Sequence, residues 1–319
     1  MNQTFSPRKP SVRYLAIENS HAGRRIDNML ISELKGVPKS RIYRMLRTGE
    51  VRVNRARVRQ DYRLKAGDVV RIPPVRTKVG KAQSDPPARL CRQIDHSVLF
   101  EDERLLVLNK PTGIAVHGGS GLKFGIIQVL RAARPNIDRL ELVHRLDRGT
   151  SGCLIIAKEP RVLRQLHKML RDGQIDKHYL ALLGGRWRGK ERKVTGTLRK
   201  NVQRSGERMV EVRSDGKLAV SVFMPTARYQ DMTLVEIKLS TGRTHQIRVH
   251  AALINHPVAG DRKYGDWEVN RQARGYGLKR LFLHANRLSF RLPEHGDRIS
   301  VEAPLPQDLS EVLDRLQGG

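Results

Sequence analysis

Between residues 22 and 75 the apolar positions recur first with the spacing of helices and then with the alternation of strands. Ile26, Met29, Leu30 and Leu34 stand three or four apart, as on one helical face, until Gly36 and Pro38 stop the pattern. A second helix follows, with Ile42, Met45 and Leu46 as its apolar stripe, Ser40 placed to cap its start and Gly49 its end. "EVRVNRARV" (50–58) alternates valine with polar residues about an Asn-Arg turn, and "LKAGDVVRI" (64–72) is a turn leading into a short strand.

From Ile94 onward β-like and helical runs are interspersed. "SVLFEDERLLVLNKPTGIAVH" (97–117) reads as two strands broken by a Pro-Thr-Gly turn. "CLIIAKE" (153–159) is nearly all apolar, as expected of a strand covered on both faces. "PRVLRQLHKMLRDG" (160–173) predicts an amphipathic helix with Val162, Leu163, Leu166, Met169 and Leu170 inward and Gly173 as its stop. "DKHYLALL" (176–183) and "MTLVEIKLS" (232–240) predict strands, and "THQIRVHAALIN" (244–255) a helix begun by Thr244 and ended before Pro257. Strands outnumber helices without alternating regularly with them. The expected class is α+β: a mixed, mostly antiparallel sheet flanked by helices, preceded by a small α/β unit. The expected boundaries are a flexible segment at 1–21, the small unit at 22–75, a polar, proline-containing linker at 76–92, and the larger domain at 93–319.

Charge narrows the function. Lys and Arg number 61 against 32 Asp and Glu, a formal balance of +29. Such an excess is the footprint of nucleic-acid binding, since neutralising phosphates releases counterions. Up to residue 92 there are 22 basic and 7 acidic residues, so the first third is the more basic per residue. Arg41, Arg44 and Arg47 form one row on the second helix and run on into Arg52, Arg55, Arg57 and Arg59, a row that predicts RNA contact rather than a merely solvated face. No apolar run approaches the length of a membrane span and the first residues carry no apolar signal core, so a cytosolic protein with no membrane contact is expected. Cys91 and Cys153 are isolated, which supports neither a disulfide framework nor a zinc ribbon.

The motif "ELVHRLDRGTSG" (141–152) sets one carboxylate, Asp147, among Arg145, Arg148 and His144, in a loop between two apolar runs. A lone loop aspartate is usually an ordinary salt bridge. Three further stretches weigh against that: "NKPTGIAVHGG" (109–119), the strand carrying Tyr179, and "STGRTHQIRVH" (240–250) with Arg243 and Arg248 at a helix start. A metal site built from His144, His245 and His250 is disfavoured, because these histidines sit among arginines that oppose a cation; packing or phosphate contact suits them better.

Two resemblances follow. Residues 22–75, through "RRIDNMLISEL", "SRIYRMLRTGEVRVNR" and "YRLKAGDVVRI", resemble the small RNA-binding domain shared by a small-subunit ribosomal protein and tyrosyl-tRNA synthetases. "NKPTG", "HRLDRGTSG", "KHYLA", "GRTHQIRVH", "GDRKYG" (260–265) and "RLFLHA" (280–285) occur in the order seen in the pseudouridine synthases of the RluA family. Gly149 departs from that pattern, many relatives having aspartate there, but it replaces none of the matched groups. The resemblance implies isomerisation of specific uridines in large-subunit ribosomal RNA, free or in an assembling subunit, without cofactor or metal; a monomer is the expectation, though the sequence leaves the oligomeric state open. Asp147 would act as nucleophile or as base and electrostatic partner, with Arg243 paired to it. Tyr179 would stack on the target base and is a candidate for proton transfer, and Ile247 would lie beneath the ring. Arg145 would handle the RNA backbone or help flip the uridine, with His144 and Arg248 also binding substrate. The rivals are a non-enzymatic ribosome-assembly factor and a base-excising glycosidase; the latter usually needs two carboxylates, where the motifs supply one.

Overall fold

In a computed structural model the chain is described at residues 11–19, 22–34, 36–75, 85–118, 124–202, 208–293 and 296–318. It divides into two units, 1–84 and 85–319. In the first, β1 (Arg13–Ala16), α1 (Ile26–Glu33), α2 (Lys39–Thr48), β2 (Arg52–Val53) and β3 (Val69–Ile72) build an antiparallel sheet of order β1-β3-β2 with two helices. Ile26, Leu30, Ile42 and Met45 are completely buried against Val53, Val70 and Ile72, so the stripes read from the sequence do face one core. Asn54 and Arg55 both take positive φ, the geometry of a tight hairpin turn. Gly49 ends α2 in the left-handed conformation, with φ of +74°.

Three expectations for residues 1–95 are corrected. The segment 1–21 is not flexible throughout: Arg13–Ala16 is a strand because it pairs with Val69–Ile72, while residues 1–10, 20 and 21 lie outside the described ones. Ser40 does not cap α2, which starts at Lys39 with Pro38 in the cap position. Of the expected linker, 76–84 lies outside the described residues, and Ala88 begins a helix, α3 (Ala88–Asp95), that carries Cys91.

The second unit continues with β4 (Val98–Glu101), β5 (Leu105–Lys110), α4 (Ile126–Ala133), β6 (Glu141–Leu142), β7 (Ser151–Ala157), α5 (Pro160–Arg171), β8 (Asp176–Gly184), β9 (Arg192–Val202), β10 (Arg208–Val212), β11 (Lys217–Arg228), β12 (Met232–Leu239), α6 (Gln246–Leu253), α7 (Trp267–Gly275), β13 (Leu283–Phe290), β14 (Ile299–Glu302) and α8 (Gln307–Gln317). Its sheet has the order β10-β9-β11-β12-β8-β13-β7-β5-β4, with β14 on β13 and β6 on β7. Only β7 and β13 run parallel among these pairings, so the sheet is mixed and mostly antiparallel.

The apolar runs are explained by cover on both faces. Leu106, Leu108, Leu154 and Ile156 join one core with α4 and α6, whereas Leu105, Val107, Cys153 and Ile155 join another with Val162, Leu166 and Met169 of α5. Complete burial of each such aliphatic side chain contributes about 1.5–3 kcal/mol. The Cys153 thiol is pushed up to about 12 by burial. The break predicted at Pro-Thr-Gly falls earlier: Asp102 Oδ1 accepts from the N–H groups of Arg104 and Leu105, each at 2.8 Å, and turns β4 into β5, while Ile114–His117 is not a strand.

Candidate active site

The loop 143–150 leaves β6 and enters β7, and its exit depends on glycine. Gly152 has φ of +106°, and a Cβ on it would lie 2.2 Å from the Ala285 carbonyl oxygen, so only glycine lets β7 start against β13. Beside it Ser151 Oγ is 2.9 Å from His284 Nδ1. The loop is also tied to the turn after β5. Gly113 N–H donates to the Arg148 carbonyl and Arg148 Nε to that of Gly113, both at 2.8 Å; Thr112 Oγ1 donates to the Gly149 carbonyl at 3.0 Å, a bond any residue at 149 could accept. At the centre is Lys110, completely buried, its ammonium donating to the carbonyls of Pro111 and Ile114 at 2.8 Å. Burial pushes its pKa down to about 7, against the opposing pull of Asp147's charge.

Asp147 is mostly buried. Its Oδ2 accepts from Arg248 Nη1 at 3.0 Å, and Oδ1 is 3.8 Å from His245 Nε2, beyond hydrogen-bond reach. Arg248 is itself fixed from behind: Nε and Nη2 donate to the two oxygens of Asp261 at 2.7 Å each, and its guanidinium lies 5.0 Å above the Tyr264 ring. Asp261, almost wholly buried, also accepts from the N–H groups of Lys263 and Tyr264, and these bonds with Arg248 hold its carboxyl below the ordinary range despite burial. Tyr264 Oη accepts from Val210 N–H and meets His245 Nδ1, both at 2.8 Å. His245 adopts φ of +54° immediately before α6, a strained left-handed conformation for a non-glycine residue, and this turn aims the first turn of α6 at Asp147.

In front of Asp147 is a cavity of about 530 Å³ walled by Tyr179 and Leu239, by the loop 240–245, and by the cations Arg145, Arg171, Lys177 and Arg243. Asp147 is the single carboxylate among the described residues of that wall. Tyr179 is raised above the ordinary phenol range, first by burial and then by Asp147's charge, so at neutral pH its hydroxyl stays protonated. Among the described residues no group of three or more His, Cys, Asp or Glu side chains converges as metal ligands, and no helix is long and apolar enough to cross a membrane.

The family profile described as RNA pseudouridylate synthase matches residues 104–253, spanning most of this site, and that of the S4 domain matches 24–70. The chain is 50% identical, over 97% of its length and 98% of the relative's, to the ribosomal large subunit pseudouridine synthase C of Escherichia coli strain K12. The chain belongs to the RNA pseudouridylate synthase family. With the enzyme of the same name from Pasteurella multocida this synthase shares 49% identity over 96% of its own length and 94% of the relative's. The solved structure of human RNA pseudouridylate synthase domain containing 4 superposes with a TM-score of 0.61 at 25% identity, covering 72% of this chain and 96% of that one.

The synthase brings Asp147, Tyr179, Arg145, His144 and Arg243 to one cavity, but redistributes what the sequence reading expects of some of them. Arg248 pairs with Asp147; Arg243 does not, its Nε donating to the Leu218 carbonyl at 3.1 Å and its exposed side chain standing at the cavity's rim. The left-handed turn at His245 lies between the two arginines, Arg243 preceding it in the loop and Arg248 following it within α6. Ile247 is buried in the core and is not part of the cavity wall, where Leu239 offers the apolar surface instead. His144 Nε2 accepts from Ile155 N–H at 3.1 Å, and burial, with Lys177's charge, pushes its pKa down to about 3; a neutral accepting ring fastens the loop to β7 and is no cation for a phosphate. In the N-terminal unit Arg41 is half-buried in a bidentate pair with Glu50; Arg52 and Arg57, though exposed, donate to the carbonyls of Gly49 and Thr48, and Arg44, Arg47, Arg55 and Arg59 are exposed as well. Lys110, Asp261 and Tyr264 receive no site role from sequence, although "NKPTG" and "GDRKYG" contain them, and His245, expected only in packing or phosphate contact, instead meets Tyr264 beside Asp147.

Proposed function

We propose that this synthase converts specific uridines of large-subunit ribosomal RNA to pseudouridine, with Asp147 acting on a nucleotide flipped into the 530 Å³ cavity. The reading rests on one observation above others: a carboxylate whose Oδ2 is held by Arg248 while Oδ1 has no hydrogen-bond donor within reach among the described residues, at the wall of a cavity large enough for a nucleoside. The name of the 50% identical relative supports the choice of RNA. In the reaction the bond from ribose C1′ to uracil N1 breaks and a bond from C1′ to C5 forms. The proton on C5 leaves and N1 gains one, so mass is unchanged.

Asp147 Oδ1 supplies the electron pair, at C1′ as nucleophile or at the 2′ hydrogen as base, while the Arg248 hydrogen bond to Oδ2 fixes how the carboxylate is turned toward the cavity. Tyr179 stacks against the base and retains its proton at neutral pH, so its hydroxyl can donate but does not serve as a base there. Arg145 and Arg171 at the rim, with Arg44, Arg47, Arg55 and Arg59 of the N-terminal unit, take RNA phosphates and offset the few kcal/mol that unstacking the uridine costs. The protein acts in the cytoplasm, where ribosomes assemble, as a monomer and without cofactor.

Pseudouridine mapping by carbodiimide treatment and primer extension, in cells with and without the gene, tests the substrate. Marks missing only from large-subunit RNA are the expected result; an unaltered map overturns it. Asp147→Asn is expected to abolish turnover with RNA affinity nearly unchanged, and residual activity within tenfold of wild type would remove Asp147 from the mechanism. Release of free uracil would instead show a glycosidase.

A further inference from the structure

Lys177 is a cation in an unusual position. It lies on β8 two residues before Tyr179, hence on the same face of the strand, and it is only 8% exposed in the wall of the cavity. Among the described residues no carboxylate lies within ion-pair distance of it and no hydrogen bond engages its ammonium, in contrast to Lys110, whose ammonium is saturated by carbonyls. Its neighbours add positive charge. Nζ packs against the 240–243 loop, where a Cβ on Gly242 would lie 3.9 Å from it, and Arg243 follows directly in that loop. Arg243 likewise forms no ion pair among the described residues; its one side-chain bond there is to the Leu218 carbonyl. His144, on the other side, is neutral and bonded to backbone.

Burying an unpaired ammonium beside a guanidinium is costly twice over, through desolvation and through like-charge repulsion. Burial followed by Arg243's charge accordingly pushes the Lys177 pKa down to about 8. While the lysine keeps its proton, an anion placed between the two cations relieves this arrangement. Asp147 is not that anion, since Arg248 engages it. What enters the cavity under the reading above is a nucleotide, whose anionic group is its phosphodiester.

We propose that Lys177 and Arg243 form a phosphate subsite inside the cavity, which grips the backbone phosphate on one side of the target uridine and so sets how far the nucleotide enters. The subsite deepens the assignment of RNA as substrate and rests on it. Lys177 supplies a buried point charge and Arg243 closes over the phosphate from the rim. Lys177 is thus a positioning residue that acts on the non-reacting part of the substrate, holding C1′ against Asp147 Oδ1. Because the unoccupied subsite is a destabilised one, it also favours the RNA-bound state.

A chemical double-mutant cycle tests this with the full-length protein and a fragment of large-subunit ribosomal RNA containing one target uridine. Neutral methylphosphonate replaces the phosphate 5′ or 3′ to that uridine, and each RNA is bound to wild type and to Lys177→Met. On one of the two phosphates the wild type is expected to lose about tenfold in affinity, the magnitude of one charge-assisted hydrogen bond, and Lys177→Met to lose no more than twofold further on the same RNA. Lys177→Met should melt at or above the wild-type temperature, because an unpaired buried charge has been replaced by an apolar chain of similar length. Additive losses at both phosphates, or affinity for the unmodified RNA equal to wild type, would overturn the subsite; a lowered melting temperature with additive losses would make Lys177 structural. The cycle reads binding and not turnover, so a wild-type protein that binds this RNA without forming pseudouridine would sink the isomerase assignment separately.

Discussion

Asp261 holds Arg248 by two hydrogen bonds of 2.7 Å, and Arg248 holds Asp147 by one of 3.0 Å, so a carboxylate that never faces the cavity sets the position of the one that does. Asp261→Ala would leave a buried guanidinium with half its partners and should destabilise the fold by about 3–5 kcal/mol. Asp261→Asn preserves the shape but weakens the grip. Its kcat is expected to fall at least tenfold with KM little changed, since what suffers is the orientation of Asp147, the carboxylate proposed to react. Steady-state kinetics beside a melting curve checks this, and a kcat within twofold of wild type would show that Arg248 needs no support from behind.

Tyr179→Phe keeps the ring and loses a hydroxyl that burial and the Asp147 charge hold protonated. If that hydroxyl donates a proton during isomerisation, the Phe variant should still cleave the glycosidic bond and stall before product, while Tyr179→Leu loses both ring and hydroxyl and should stall earlier. Rapid-quench analysis of the bound RNA separates the two. Equal blocks in both variants would assign the residue to stacking alone.

Stability should fall in mild acid for a nameable reason. His250 is completely buried on α6, with Nδ1 3.0 Å from Ser221 Oγ, and burial pushes its pKa down to about 4 from an ordinary value of 6.5. Between those values the unfolded chain binds a proton that the folded one does not, so stability is complete above pH 6.5 and decreases as the pH falls toward 4. His144, pushed down to about 3, acts in the same direction over a wider window. Urea unfolding at pH values of about 4.5 and 7.5 is expected to show a smaller pH difference in His250→Gln than in wild type. An identical difference would exclude His250 as a source of the acid sensitivity.

The arginines of the N-terminal unit should not behave alike. Replacing Arg44, Arg47, Arg55 and Arg59 by alanine is expected to flatten the plot of log K against log salt by roughly 0.7–0.9 for each phosphate that the variant no longer neutralises. Arg41→Ala should leave that slope nearly unaltered and instead release Glu50, which the Arg41 guanidinium now holds below the usual carboxylate range. An unaltered slope in the quadruple variant would mean that this face is only solvated.

Elements whose apolar residues are buried were legible from the pattern: α1, α2 and α5 by helical spacing, β12 by alternation, and β7 as an unbroken apolar run covered on both faces. The long strands β9 and β11 were not read, because most of their side chains are polar or half exposed and the strands persist by pairing with each other and with β12. Asp147 stood out because a loop between two buried runs is a natural place for a reactive group. Which arginine reaches it did not. Arg243 and Arg248 lie in one motif, on either side of the left-handed residue His245, and no periodicity announces that turn. Lys110 escaped notice for a related reason: a lysine ending a strand reads as exposed, and only the carbonyls converging from Pro111 and Ile114 make burial tolerable.

The contrast between the two thiols gives the protein a convenient handle. Maleimide dyes react with thiolate, and Cys153, sealed inside β7 with its pKa at about 12, offers almost none at neutral pH. Cys91, partly open on α3, is therefore the position a dye will take in the native chain without any cysteine having to be engineered away. Since α3 opens the second unit, energy transfer from that dye to an acceptor introduced into the N-terminal unit would follow the spacing of the two units in real time as RNA is added.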